Sequence, residues 1–216
     1  MGVAALGARV TGRLGVFGGT FDPIHIAHLA VAEEAAETLG LERVLFMPAG
    51  IPPHKPDRPI TDGEHRLAMV ELAIAGNERF AADRRELDRP GRSYTVDSLE
   101  ALRRETASDL VLIVSADSFL GLMAWREPRR ILELARIAVA PREGYPAAGP
   151  DFLAAHLPDL ADRAIFLDGP HLRLSASELR ARARAGRSLR YLVPDAVAAY
   201  IGDHALYTDH TRTPIS

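Results

Sequence analysis

Cysteine is absent from all 216 residues, which removes disulfides, thiol nucleophiles and thiolate metal sites together. That absence suits a reducing compartment. No apolar run approaches the roughly 18 residues that a membrane-spanning helix requires. Charge of one sign is also scarce, and the net value of −3 makes no electrostatic case for binding nucleic acid. Met1 to Gly12 carries Arg9 and three glycines without a continuous apolar stretch, so it does not read as a signal peptide. Together these features predict a soluble cytoplasmic protein with no membrane or nucleic-acid partner.

What remains is ordinary globular composition, 47% hydrophobic and 25% charged. A chain of this length buries roughly 70% of its unfolded surface, enough for a full core. The expected organisation is an extension over 1–12, one domain over 13–207 with C-terminal helices from about 175, and a polar tail over 208–216. There is no internal repeat and no low-complexity linker.

Short apolar runs alternate with helical patterns along the chain. Strands are expected at 13–17, 43–47, 80–82, 110–114, 137–140 and 164–167. Helices are expected at 29–39 with Gly40 as its C-terminal cap, and from a Thr61–Glu64 capping box to about Ala75. Others are expected at 94–106, 119–125, 129–134 with an interruption at Pro128, 177–185 and 195–201. Arg84 to Arg92 reads as a charged loop, and the Gly/Pro-rich 141–150 stretch as a loop able to move. Strands that are apolar throughout, alternating with helices, predict an α/β fold: a Rossmann-like, doubly wound parallel sheet with helices on both faces. Ligands of such sheets bind beyond the carboxyl ends of the strands, so functional residues are sought just after each strand.

Four stretches meet that condition. The first strand runs into Gly18-Gly19-Thr20-Phe21-Asp22-Pro23-Ile24-His25-Ile26-Ala27-His28. Strand, glycine turn and helix start together make a place where backbone N–H groups can face an anion. His25 and His28 lie one helical turn apart and can face one point. A zinc reading of this pair is weak, because zinc needs at least three protein ligands and the chain has no cysteine. After the second strand comes Pro52-Pro53-His54-Lys55, a segment neither helical nor interior to a sheet. Ser115-Ala116-Asp117 follows the fourth. Leu174-Ser175-Ala176-Ser177-Glu178-Leu179-Arg180 follows the last; it reads both as a capping box and as a phosphate site, with hydroxyls at a helix start and Arg180 one turn in.

The first stretch resembles the GTFDPxHxGH signature of the nucleotidyltransferase superfamily, with Ala27 where glycine is usual. Leu174 to Arg180 resembles its ISSTxIR motif, with Ser175 and Arg180 retained. Pro52 to Lys55 is similar to the PPHK element, and Ser93-Tyr94-Thr95-Val96-Asp97-Ser98-Leu99 to the SYTxDTL segment, of the nicotinate-mononucleotide adenylyltransferases. Ser115 to Trp125 resembles their GxD…W segment, with Ser115 in place of glycine, and Leu192 to Ile201 their C-terminal LVPxxVxxYI helix. The resemblance runs from about Leu14 to Tyr207.

It implies transfer of the adenylyl group of ATP to nicotinate mononucleotide, giving deamido-NAD and pyrophosphate. It further implies a catalytic set of His25, His28 and Arg180, and ATP contacts from Gly18, Gly19, Thr20, Phe21, Asp117, Ser175 and Ser177. Acceptor contacts would come from His54, Lys55, Tyr94, Thr95 and Trp125. Mg²⁺ is implied on the ATP phosphates and not on a protein metal site. The alternatives are another phosphate acceptor, such as nicotinamide mononucleotide or phosphopantetheine, and a nucleotide-binding module weakened in catalysis. Oligomeric state is not legible in the sequence.

Overall fold

The computed structural model describes residues 12–52, 60–145 and 149–208. Six parallel strands form one sheet: β1 (Arg13–Gly19), β2 (Leu41–Pro48), β3 (Phe80–Ala82), β4 (Asp109–Ser115), β5 (Ala135–Ala140) and β6 (Ala164–Phe166). Their spatial order is β3-β2-β1-β4-β5-β6. Every pairing is parallel. The order reverses between β1 and β4, which puts the ligand crevice outside the carboxyl ends of those two strands.

The apolar strands divide residue by residue between two cores, because successive side chains leave opposite faces of a sheet. On one face Phe17, Val44, Phe46, Val111, Ile113 and Ala138 pack against α1 (Ile26–Leu39), α2 (Gly63–Ile74), α8 (Ala176–Arg184) and α9 (Asp195–Asp203). Leu14, Val16, Leu45, Met47, Leu112 and Val139 enter the other core with α4 (Thr95–Glu105) and α6 (Pro128–Leu134). The doubly wound sheet expected from the sequence is the observed one.

Several local expectations are corrected. Thr61 does not cap α2: its N-cap is Asp62, whose carboxylate accepts the Glu64 N–H. A helix, α3 (Arg85–Asp88), interrupts the expected 84–92 loop, its first turn carrying Glu86. Pro128 opens α6 instead of interrupting a helix, since a first-turn residue needs no intrahelical N–H bond. Before it, the expected 119–125 piece divides into α5 (Ala116–Leu120) and a single 3₁₀ turn, Leu122–Ala124. A further helix, α7 (Asp151–His156), lies where no element was expected. Gly40 ends α1 in the left-handed conformation, φ 60°, donating to the carbonyls of Ala36 and Glu37. Among the described residues no helix is long and apolar enough to cross a membrane.

Candidate active site

Beyond β1 and β4 lies a cleft of about 360 Å³, with β1's Gly18 and Gly19 on its floor. The two glycines have different reasons. A Cβ on Gly18 would meet nothing within 4 Å, so that position is open to an occupant of the cleft. A Cβ on Gly19 would stand 2.9 Å from the Phe21 ring, so this glycine makes room for its own chain. Phe21 in turn has φ 48°, a left-handed conformation that costs a non-glycine residue about 1–3 kcal/mol. Its ring is buried against Phe17, Phe46 and His28, and this packing holds the turn.

His25 is the N-cap of α1 and is 4% exposed. Its Nδ1 is buried with no hydrogen-bond partner among the described residues. Burial, reinforced by the Arg142 guanidinium, lowers its pKa from 6.5 to about 4, so the ring is neutral at pH 7. His28 stacks on it at 3.7 Å between ring centroids. The His25 backbone N–H donates to His28 Nδ1 at 3.2 Å, which leaves the proton of a neutral His28 on Nε2. The anion cradle expected at this helix start is reduced, because the Ile26 N–H is taken by the Leu192 carbonyl. Ala27 lies in the first turn, and its side chain is part of the cleft wall.

Opposite stands the start of α8. Ser175 caps it, accepting the Glu178 N–H at 3.2 Å and donating to the Glu178 carboxylate at 2.9 Å. One turn on, Arg180 donates to Ser177 Oγ at 3.0 Å and to the Asp22 backbone carbonyl. Ser175, Ser177 and Arg180 all line the cleft, so the residue that caps the helix also faces the cleft.

A buried arginine that sequence reasoning missed braces the surrounding loops. Arg66, 2% exposed, donates to the carbonyls of Thr61 at 2.8 Å, Thr20 at 2.9 Å and Gly50 at 3.3 Å. An arginine inside an amphipathic helix pattern carries no sign of this; only the three converging chains do. Arg142, two residues beyond β5, was missed as well. It lines the cleft and forms a 3.2 Å ion pair with Asp117. The strand-end rule that led to the other candidates also points to it. Asp117 itself is not part of the wall and meets the cleft through Arg142.

A second lobe of about 220 Å³ lies beside the first. Gly18, Gly19, Thr20, Ser118 and Trp125 belong to both, so the tryptophan stands at the junction. Tyr94 and Thr95, the N-cap and first residue of α4, line the second lobe. Arg126 lies 4.9 Å over the Tyr94 ring. Glu86, missed in the sequence, contributes a buried carboxyl whose pKa is raised, chiefly by desolvation and against the hydrogen bond from Ser98 at 2.7 Å. His54 and Lys55 lie outside the described residues.

A parallel sheet in this order, with imidazole and guanidinium groups gathered at its switch point, is the architecture of Rossmann-like proteins that take phosphorylated ligands. Comparison with known proteins narrows the class. The model of the family described as Cytidylyltransferase-like matches residues 16–182. The chain is 50% identical over 196 residues to the probable nicotinate-nucleotide adenylyltransferase of Thermomicrobium roseum, covering 90% of this chain and 91% of that one. It is 44% identical to the namesake of Thermus thermophilus, over 90% of this chain and 99% of that one. The chain therefore belongs to the cytidylyltransferase-like family, among its nicotinate-nucleotide adenylyltransferases. The solved Plasmodium falciparum nicotinic acid mononucleotide adenylyltransferase complexed with NaAD superposes with a TM-score of 0.72 at 16% identity. That likeness covers 91% of this chain and 97% of the other, and shows a shared fold.

Proposed function

We propose that this protein transfers the adenylyl group of ATP to nicotinate mononucleotide, releasing pyrophosphate and forming deamido-NAD, within a single domain over 13–207 in the cytoplasm. The observation that carries the reading is that the two lobes share lining residues, Gly18 to Thr20 and Trp125 among them. One lobe carries phosphate donors, the other a helix start, and the reacting groups would meet between them. The names of relatives up to 50% identical support the same activity.

In this reaction an oxygen of the acceptor's phosphate attacks the α-phosphorus of ATP. The bond from that phosphorus to the bridging oxygen of the β-phosphate breaks, and pyrophosphate leaves with the electron pair. A phosphate monoester is largely dianionic at pH 7, so no general base is needed. Catalysis then rests on positioning and on fixed donors for charge at the α-phosphate and the leaving group. His25 and His28 act as donors to the ATP phosphates, His25 as a neutral ring. Arg180, with Ser175 and Ser177 beside it, holds the β/γ end, and Arg142 adds a second guanidinium to the same wall. The Gly18-to-Phe21 turn carries the nucleotide, and Asp117 acts through Arg142.

On the acceptor side, α4 presents its N-terminus at Tyr94 and Thr95 to the carboxylate, where orphan N–H groups and the helix dipole favour an anion. Trp125 stacks on the pyridine, and His54 and Lys55 complete the acceptor's contacts. The cleft's guanidinium, imidazole and hydroxyl groups suit phosphate oxygens better than a divalent cation. Among the described residues no group of three or more acidic or histidine side chains is placed to hold a metal. Mg²⁺ would be carried by the ATP, where it would neutralise phosphate charge.

Incubating the protein with ATP and either nicotinate or nicotinamide mononucleotide, and measuring pyrophosphate and dinucleotide, tests the proposal. Turnover with the acid is expected to exceed turnover with the amide. Preference for the amide would overturn the acceptor, and no product with either would leave a nucleotide-binding module.

A further inference from the structure

The C-terminal segment after α9 reaches back to the first loop. Tyr207, separated from Asp22 by 185 residues, donates its hydroxyl to Asp22 Oδ1 at 2.7 Å. Asp22 is 2% exposed, and its other oxygen accepts the Thr61 N–H at 3.4 Å. That same Oδ2 lies 3.8 Å from the Arg180 guanidinium. Arg180 nevertheless directs hydrogen bonds to the Asp22 backbone carbonyl and to Ser177.

A guanidinium beside a buried carboxylate has a better option than this one. The favoured arrangement is a two-pronged pair in which both oxygens accept parallel N–H bonds. Here one oxygen already holds a phenol and the other a backbone amide. The pair stays single-pronged and long, and the Arg180 guanidinium remains part of the cleft wall. We propose that Tyr207 is a positioning residue for Arg180, acting through the Asp22 carboxylate, whose Oδ1 it occupies. The proposal rests on the reading that Arg180 binds the phosphates of ATP.

Two features suit Tyr207 to the task. Burial, then the neighbouring Asp22 charge, raise its pKa, so the hydroxyl keeps its proton and always donates. Its backbone has φ 65°, a costly conformation for a residue with a side chain, which surrounding contacts must maintain. Those contacts include Met69 of α2, with Sδ 4.0 Å from the phenol oxygen.

The test is a double-mutant cycle of Tyr207→Phe with Arg180→Ala, read as the ATP dissociation constant by calorimetry without acceptor, and then as kcat/KM. Tyr207→Phe alone is expected to weaken ATP binding about tenfold, within the range of couplings between residues of one network. In the Arg180→Ala background it should change binding less than about twofold, since the residue it orients is gone. A residue that merely packs would cost the same in both backgrounds, and equal penalties overturn the proposal. So does an unchanged affinity in the single variant.

If Arg180→Ala binds ATP like the wild type, the phosphate role of Arg180 fails and the proposal falls with it. If Arg180→Ala weakens binding and Tyr207→Phe does not, only the proposal falls. Asp22→Asn keeps Tyr207 and the side-chain shape but removes the carboxylate charge. Should Tyr207→Phe not fold, Asp22→Asn should weaken ATP binding in the native background and be silent with Arg180→Ala; equal penalties again overturn the proposal.

Discussion

In the lobe between α1 and α8, the polar groups are tied to one another: His25 to His28, Arg180 to Ser177 and Asp22, Asp22 to Tyr207, Arg142 to Asp117. In the lobe at the start of α4, the ties join wall residues to the segments beside them. Ser93 accepts the Gly50 N–H, and Ser98 donates to the buried Glu86, on either side of Tyr94 and Thr95. The first arrangement holds charged donors in place before a ligand arrives, which suits a polyanion whose charge changes during reaction. The second positions a helix start and an aromatic ring, which suits recognition of a flat acceptor. The difference between the lobes is one between oriented charge and oriented shape.

Breaking what the lobes share should have the largest effect. Arg66 binds carbonyls at Thr20 and Gly50, one on the common floor and one beneath the second lobe. Arg66→Met should cost about 3–5 kcal/mol in denaturant unfolding, because buried carbonyls lose their donor. A loss below about 1 kcal/mol would mean that the loops hold themselves.

Arg180→Ala should lower kcat/KM by about 2–4 kcal/mol while leaving the acceptor's KM nearly unchanged, as expected for one oxyanion donor of the first lobe. Steady-state kinetics with each substrate varied separately distinguishes this from damage to both lobes.

His25 gives the first lobe a pH signature. Its folded pKa of about 4 lies below the unfolded 6.5, so the unfolded state binds the proton more readily. Stability is therefore lost as pH falls through that window, by about 2 kcal/mol between pH 7 and pH 5. Urea unfolding of the wild type and of His25→Gln at the two pH values measures it; an equal slope in both would assign the acid sensitivity elsewhere.

The smallest effect belongs to the second lobe. Trp125→Ala should raise the acceptor's KM by about 1–2 kcal/mol, the scale of one lost ring-on-ring contact. Initial rates at saturating ATP would show it, and an unchanged acceptor KM would sever Trp125 from the pyridine.

Much of this was legible beforehand for a definite reason. Strands such as Leu110 to Val114, apolar at every position, announce burial on two faces, and that follows from periodicity without any contact being known. Gly18, His25, His28 and Ser175 to Arg180 were found because they follow strands or open helices, both local properties. Arg66, Arg142 and Glu86 were not found, for their significance depends on partners 16 to 46 residues away or on burial that the sequence does not display. The expected Thr61 cap failed through competition between neighbours, since Asp62 reaches the same helix end.

The alternation of strands and helices and the doubly wound class were thus set by local pattern, which also placed the glycine–histidine stretch after the first strand, since burial and chain geometry repeat with the period of each element. Tertiary structure alone decided that His25 is neutral, that Gly19 yields space to Phe21, and that Tyr207 meets Asp22. Those facts depend on desolvation and on contacts between distant segments, which exist only once the chain has folded.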